Sequence, residues 1–118
     1  MVIRQGDVFW YNFGHPVGSE PGYQRPVVIM QNDAFNQSAI KTTVVCAITT
    51  NLELGQAMGN LRLRKGEANL PQASVVNISQ VYTINKTKLQ DKLGSLSPHR
   101  VQQIIAGLHL LFEPQIFA

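Results

Sequence analysis

The sequence predicts a mainly β protein whose last third is helical. Short runs of β-formers separated by turn residues fill the first two thirds, and apolar residues at helical spacing fill the end. At 118 residues and 44% hydrophobic, the chain suffices for one compact core, so a single domain over 1–118 is expected. Residues 7–13 are aromatic-rich, and 26–31 and 42–49 are β-branched. Leu61 and Leu63 alternate with charges, and 74–84 is an almost unbroken β-former run. That makes five or six strands. Asn85 is placed to cap a short helix through Leu93, ended by Gly94. Ser97-Pro98 then supplies an N-cap and a first-turn proline for a second helix. Its stripe of Val101, Ile104, Ile105, Leu108, Leu111 and Phe112 needs a sheet or a partner subunit to cover it.

Composition narrows the function classes. Cys46 is the only cysteine, which excludes an internal disulfide and a cysteine metal cage, and its apolar neighbours mark it as a small core residue. No apolar run approaches the roughly 20 residues that span a bilayer, and the first seven residues lack a signal-peptide layout. A cytoplasmic protein with no membrane partner is expected. A net charge of +3 and a pI near 9.3 suit an anionic partner without requiring one. The one cationic cluster is Arg62-Leu63-Arg64-Lys65; on a strand, Arg62 and Arg64 share a face, as guards of a sheet edge or as phosphate contacts.

The segment Gly18-Ser19-Glu20-Pro21-Gly22-Tyr23-Gln24-Arg25-Pro26 is the most informative. Its glycines permit positive φ, and Pro26 holds Arg25 extended at the entrance of an apolar strand. A guanidinium aimed in this way matches two phosphate oxygens at once. An Arg beside a Pro on a turn is also an ordinary surface residue, so the motif is ambiguous alone.

Context resolves the ambiguity. Gly6-Asp7-Val8-Phe9-Trp10, the Arg25-Pro26 segment, Gln31-Asn32-Asp33, Val44-Val45-Cys46-Ala47-Ile48-Thr49 and Gln80-Val81-Tyr82-Thr83-Ile84-Asn85 with Leu89 follow in an order that resembles the MazF/PemK family of bacterial toxin endoribonucleases. The likeness runs from about Gly6 to Leu93. It implies an SH3-like β-barrel with flanking helices and metal-independent, sequence-selective cleavage of single-stranded RNA to 2′,3′-cyclic phosphate and 5′-hydroxyl ends, with no cofactor. It also implies a homodimer neutralised by a cognate antitoxin with an acidic tail, and contact with DNA only through that antitoxin. The apolar helix stripe and the aromatics Trp10 and Phe13, taken as exposed, point to the same dimer.

Residue by residue, the resemblance makes Arg25 and Thr49 catalytic. Arg25 stabilises the charge on phosphorus, and Thr49 donates its hydroxyl beside it. Ser19 and Glu20 match the substrate loop, although Glu20 equally suits an ion pair with Arg25. Gln31 reaches a base edge or belongs to a turn that caps the segment from Ala34, and Gln80 carries the same double reading. Asn77 and Ser79 are substrate-binding positions, and here the chain departs from the family. Many relatives carry charged residues in this stretch, where both of these are neutral, so no acid and base pair carries over. Of the histidines, His15 in the motif loop is an outside candidate for proton transfer, whereas His99 and His109 read as solvated helix residues. His109 and Glu113 lack a third metal ligand. Two other readings are a toxin of the same fold that poisons a topoisomerase and a non-catalytic nucleic-acid-binding barrel.

Overall fold

The computed structural model describes residues 2–15, 18 and 23–115. Its strands are β1 (Asp7–Asn12), β2 (Gln24–Ile29), β3 (Thr42–Thr49), β4 (Leu61–Leu63), β5 (Ser74–Asn85) and β6 (Lys92–Ser95), and its helices are α1 (Asp33–Asn36) and α2 (Pro98–Phe112). The strands form one antiparallel sheet in the order β4-β5-β3-β2-β1-β6, curled into a half-barrel. The edge strands β4 and β6 are bridged by the tight turn at 67–69. Asn69 Nδ2 donates to the Leu93 carbonyl at 2.7 Å, and Gly94 lies under the turn, where a Cβ would come 2.8 Å from the Ala68 carbonyl carbon and oxygen.

That close approach corrects the helix expected over 85–93. The Asn85 side chain makes no capping bond, a single turn occupies 86–88, and the chain then extends as β6 with Asp7 opposite Ser95 and Val8 opposite Gly94. Gly94 is therefore a contact residue, not a helix stop. β2 starts two residues earlier than the β-branched run suggests. Pro26 is tolerated inside it because β3 first pairs with β2 at Val27, so the missing N–H falls where β2 has only β1 beside it.

Strand alternation divides the core. Val8, Val28, Cys46, Ile48, Leu63 and Val76 face Val101 and Ile104 of α2; Phe9, Val27, Ile29, Val45 and Ile84 face the other way, against Ile3 and Leu89. Burial pushes the Cys46 thiol up to about 12, as suits a packed core residue. Ser97 caps α2 by accepting from the Arg100 N–H. The middle of α2 meets the 52–60 segment at Gly107, which lies directly on the Gly59 carbonyl. Only part of the helical stripe is covered. Val101 and Ile104 are buried, and Ile105 and Leu108 pack on the core, while Leu110, Leu111 and Phe112 extend past the sheet at 51%, 42% and 68% exposure.

The first turn of α2 is tied to the 67–69 turn by a two-pronged ion pair, Arg100 Nε to Glu67 Oε1 at 2.8 Å and Nη2 to Oε2 at 3.0 Å. The Arg100 hydrogen bonds hold the Glu67 carboxyl below its ordinary value and raise the guanidinium. A carboxyl depressed in the fold stabilises above its unfolded pKa and loses that contribution as pH falls through the folded value. Glu67→Gln is therefore expected to cost about 1 kcal/mol, or about 4 °C in Tm, at neutral pH. Melting curves against pH should show the deficit begin to shrink once pH falls below the ordinary Glu value of about 4.3 and vanish as it falls through the lowered folded value. A deficit independent of pH would mean the pair contributes nothing electrostatic.

Candidate functional site

The motif loop leaves β1 and rejoins at β2, and its neck is held by backbone bonds. Phe13 N–H donates to the Tyr23 carbonyl at 2.8 Å, and Tyr23 N–H returns a bond to Gly14. Both neck residues have left-handed φ, Gly14 at 75° and Tyr23 at 58°. For Tyr23 that conformation costs on the order of 1 kcal/mol or more, strain of a kind found near functional sites. Its ring lies edge-on to His15 with centroids 5.8 Å apart. Ser19 and Glu20 lie outside the described residues.

Strand register then assembles the site. Tyr11 pairs with Arg25, and continuing the β2 to β3 register two residues beyond Val27 and Ala47 puts Arg25 opposite Thr49. That register puts both residues on half-buried positions of one face, and both line the same pocket, so the guanidinium and the hydroxyl belong to one site. Thr49 Oγ1 accepts from the Asn51 N–H at 3.1 Å, which orients the hydroxyl and leaves its hydrogen to donate. The pair lines a pocket of about 320 Å³ together with Trp10, Tyr23, Pro26, Ile48, Leu70, Pro71 and Ser74. A phosphate clamp thus adjoins an apolar and aromatic recess, an arrangement suited to a nucleotide with its base in the recess.

Asn77 pairs with Ala47, which places it on the Arg25 face, diagonal to Thr49 at roughly 7–8 Å between backbones. The register jumps between Cys46 paired with Val81 and Ala47 paired with Asn77, so Ile78, Ser79 and Gln80 form a bulge in β5. Bulges re-aim side chains and are common beside active sites. Here Ser79 Oγ donates to Asn77 Oδ1 at 2.9 Å, and the Tyr82 hydroxyl donates to Gln80 Oε1. Gln31 is not brought to the site. It follows the far end of β2, where its Nε2 donates to Asn36 Oδ1 at 3.0 Å and to the Thr42 carbonyl at 3.2 Å, while Asn36 Nδ2 donates back to the Gln31 carbonyl. The neighbouring Asn32 caps α1 through the Ala34 N–H, so the turn reading of this segment is the one the geometry takes up.

Sequence reasoning missed the recess. Contrary to the expectation of exposure, Trp10 is a half-buried pocket wall, and Phe13 is half-buried between Tyr11 and Tyr82 with ring centroids at 4.8 and 5.2 Å. The pairing of Trp10 with Pro26, next to Arg25, was the available signal. Pro71, Gln72 and Ser74 come from the start of β5 and the segment before it, and nothing local in the sequence announces them.

A family model described as PemK-like, MazF-like toxin of type II toxin-antitoxin system matches residues 4–112. The chain belongs to this family. Among curated MazF relatives, Endoribonuclease MazF6 of Mycobacterium tuberculosis is 34% identical over 113 residues, covering 96% of this chain and 99% of the relative. Endoribonuclease MazF of Staphylococcus saprophyticus is 33% identical over 116 residues, covering 93% and 96%. The fold is likewise that of MazF. The crystal structure of MazF from Deinococcus radiodurans superposes with a TM-score of 0.78 at 19% identity, covering 97% of this chain and 99% of that one. An endoribonuclease in complex with its cognate antitoxin from a mycobacterial species gives 0.77 at 21%, covering 96% and 98%. In this MazF-type chain Arg25 and Thr49 are part of the wall of the recess.

Proposed function

We propose that this chain is a toxin endoribonuclease that cuts single-stranded RNA at selected sequences without a metal. The observation that carries the reading is the placement of Arg25 and Thr49 on one face beside the aromatic recess. The ribose 2′-oxygen attacks the adjacent phosphorus, and the bond from phosphorus to the 5′-oxygen of the next nucleotide breaks. A 2′,3′-cyclic phosphate and a 5′-hydroxyl result. Charge builds on the non-bridging oxygens, where Arg25 offers paired N–H donors and Thr49 its hydroxyl. Asn77 and Ser79 do not titrate near neutral pH, so their role is to contact bases. Proton transfer falls to the motif loop, to Glu20 or His15, or to solvent.

Incubating the purified protein with a long mixed-sequence RNA in EDTA separates this from the other readings. Discrete cuts with the expected ends support the nuclease, protection without cuts supports a binding barrel, and neither supports a toxin directed at another target. Thr49→Ala is expected to slow cleavage by roughly 10-fold or more while hardly changing affinity for RNA that cannot be cut, because its contact strengthens as charge accumulates. Thr49→Ser should be mild. Equal melting losses in both variants with no separate rate effect would make Thr49 a packing residue.

The cytoplasm is the proposed location; no helix among the described residues is long and apolar enough to cross a membrane. The antitoxin is proposed to lay an acidic segment over the Arg25 face, where opposite charge favours docking. A homodimer is proposed through the uncovered end of α2. Leu110, Leu111 and Phe112 expose a contiguous apolar turn that a second copy would cover. Sedimentation at low micromolar concentration should give close to twice 13.1 kDa, and Leu111→Asp with Phe112→Asp should give the monomer. A wild-type monomer at that concentration would remove the proposed homodimer.

A further inference from the structure

The register that aligns Arg25 with Thr49 continues across the sheet. Thr49 pairs with Val75, and Val75 pairs with Arg62 on β4. Tyr11, Arg25, Thr49, Val75 and Arg62 therefore form one register row over five strands, in which Val75 is fully buried and Arg62 lies two strand spacings from Thr49, roughly 10 Å between backbones. Paired residues share a face, so the Arg62 side chain leaves the sheet on the side of Arg25.

Arg62 is exposed, yet it is held in place. Its Nη2 donates to the Leu52 carbonyl at 3.0 Å, and the 52–56 turn folds over it at Gly55, where a Cβ would come 2.4 Å from Nε. The glycine makes room for the guanidinium. No carboxylate among the described residues pairs with Arg62, whereas Arg100 is neutralised by Glu67. Of five N–H donors, one is spent on Leu52, and no acceptor among the described residues takes up the rest. A cation that is ordered, exposed and not neutralised, in line with a phosphate clamp, has the properties of a second anion contact.

We propose that Arg62 binds a backbone phosphate of the RNA beyond the scissile one, on the Thr49 side, and so fixes the direction in which the strand leaves the Arg25 and Thr49 site. This rests on the reading of the Arg25 and Thr49 row as the RNA-cleaving site. The contact is electrostatic, independent of base identity, and tightens substrate and transition state alike.

The test measures binding of a mixed-sequence single-stranded oligonucleotide carrying 2′-O-methyl riboses throughout, which keeps every phosphate and cannot be cut through its 2′-oxygen. Affinity is followed against salt for wild type, Arg62→Ala, Arg62→Gln and Arg62→Lys. Losing one phosphate contact should flatten the slope of log affinity against log salt by about 0.7 in the Ala and Gln variants and weaken binding roughly 10-fold at low salt. Arg62→Lys should keep the slope and lose part of the affinity. Arg62→Gln retains a donor for the Leu52 carbonyl, so it separates the phosphate role from the tie to the 52–56 turn. If Arg62→Gln matches wild type in slope and affinity, Arg62 only anchors that turn and the proposal is overturned. Wild type that fails to bind would overturn the RNA reading as well, whereas wild-type binding with unchanged slopes in all variants removes only the Arg62 contact.

Discussion

Arg25→Ala is expected to lower the cleavage rate by about 10²-fold to 10³-fold while leaving the melting curve close to wild type. The side chain stands at a half-buried strand entrance that pairs with Tyr11, and it lines the pocket rather than the apolar core. What is lost is charge stabilisation at the phosphorus. Arg25→Lys should recover little, because an ammonium is a point charge and cannot make two parallel bonds to one phosphate. Single-turnover cleavage beside thermal melts checks this. Near-normal rates in either variant would remove Arg25 from the chemistry.

The second large effect is structural. On propensity alone, Gly107→Ala in the middle of α2 should stabilise by about 1 kcal/mol. The packing says otherwise, since a Cβ there would come 2.4 Å from the Gly59 carbonyl oxygen and 3.2 Å from Ile78. The obstacle at Gly59 is backbone, which no rotamer change relieves, so α2 or the 52–60 segment must shift. A net loss of about 2–3 kcal/mol, or about 10 °C in Tm, is expected, with Gly107→Val worse. Because that segment carries the turn over Arg62, RNA affinity should fall with stability. A raised Tm in Gly107→Ala would show that propensity wins and the contact is soft.

Much of this was legible in the sequence, for identifiable reasons. Runs such as 42–49 and 74–84 announce themselves because β-branched residues fit a pleated, buried surface, and Ser97-Pro98 announces α2 because a cap and a first-turn proline are local chemistry. β6 was illegible. Lys92-Leu93-Gly94-Ser95 has no strand signature, and its conformation comes from pairing with β1 and from the space Gly94 leaves under the 67–69 turn. The same division holds at the site. Arg25 was visible through its turn residues, but Trp10, Pro71 and Ser74 join the recess only through tertiary folding. Gln31 looked like a base contact because a Gln after a strand reads the same whether it faces a ligand or its own backbone, and only the Asn36 and Thr42 bonds distinguish the two. The bulge at 78–80 was invisible because a bulge is defined by the partner strand.

Attack by the RNA's own 2′-oxygen, promoted by Arg25 and Thr49, is the step proposed for this site. It is tested most directly by comparing, in EDTA, a mixed-sequence RNA with the same strand carrying a single 2′-deoxynucleotide at a mapped cut site. The all-ribose strand should be cut there to a 2′,3′-cyclic phosphate and a 5′-hydroxyl, and the substituted strand should bind equally well and remain intact at that position. Cleavage of the 2′-deoxy strand at the same bond would contradict the mechanism.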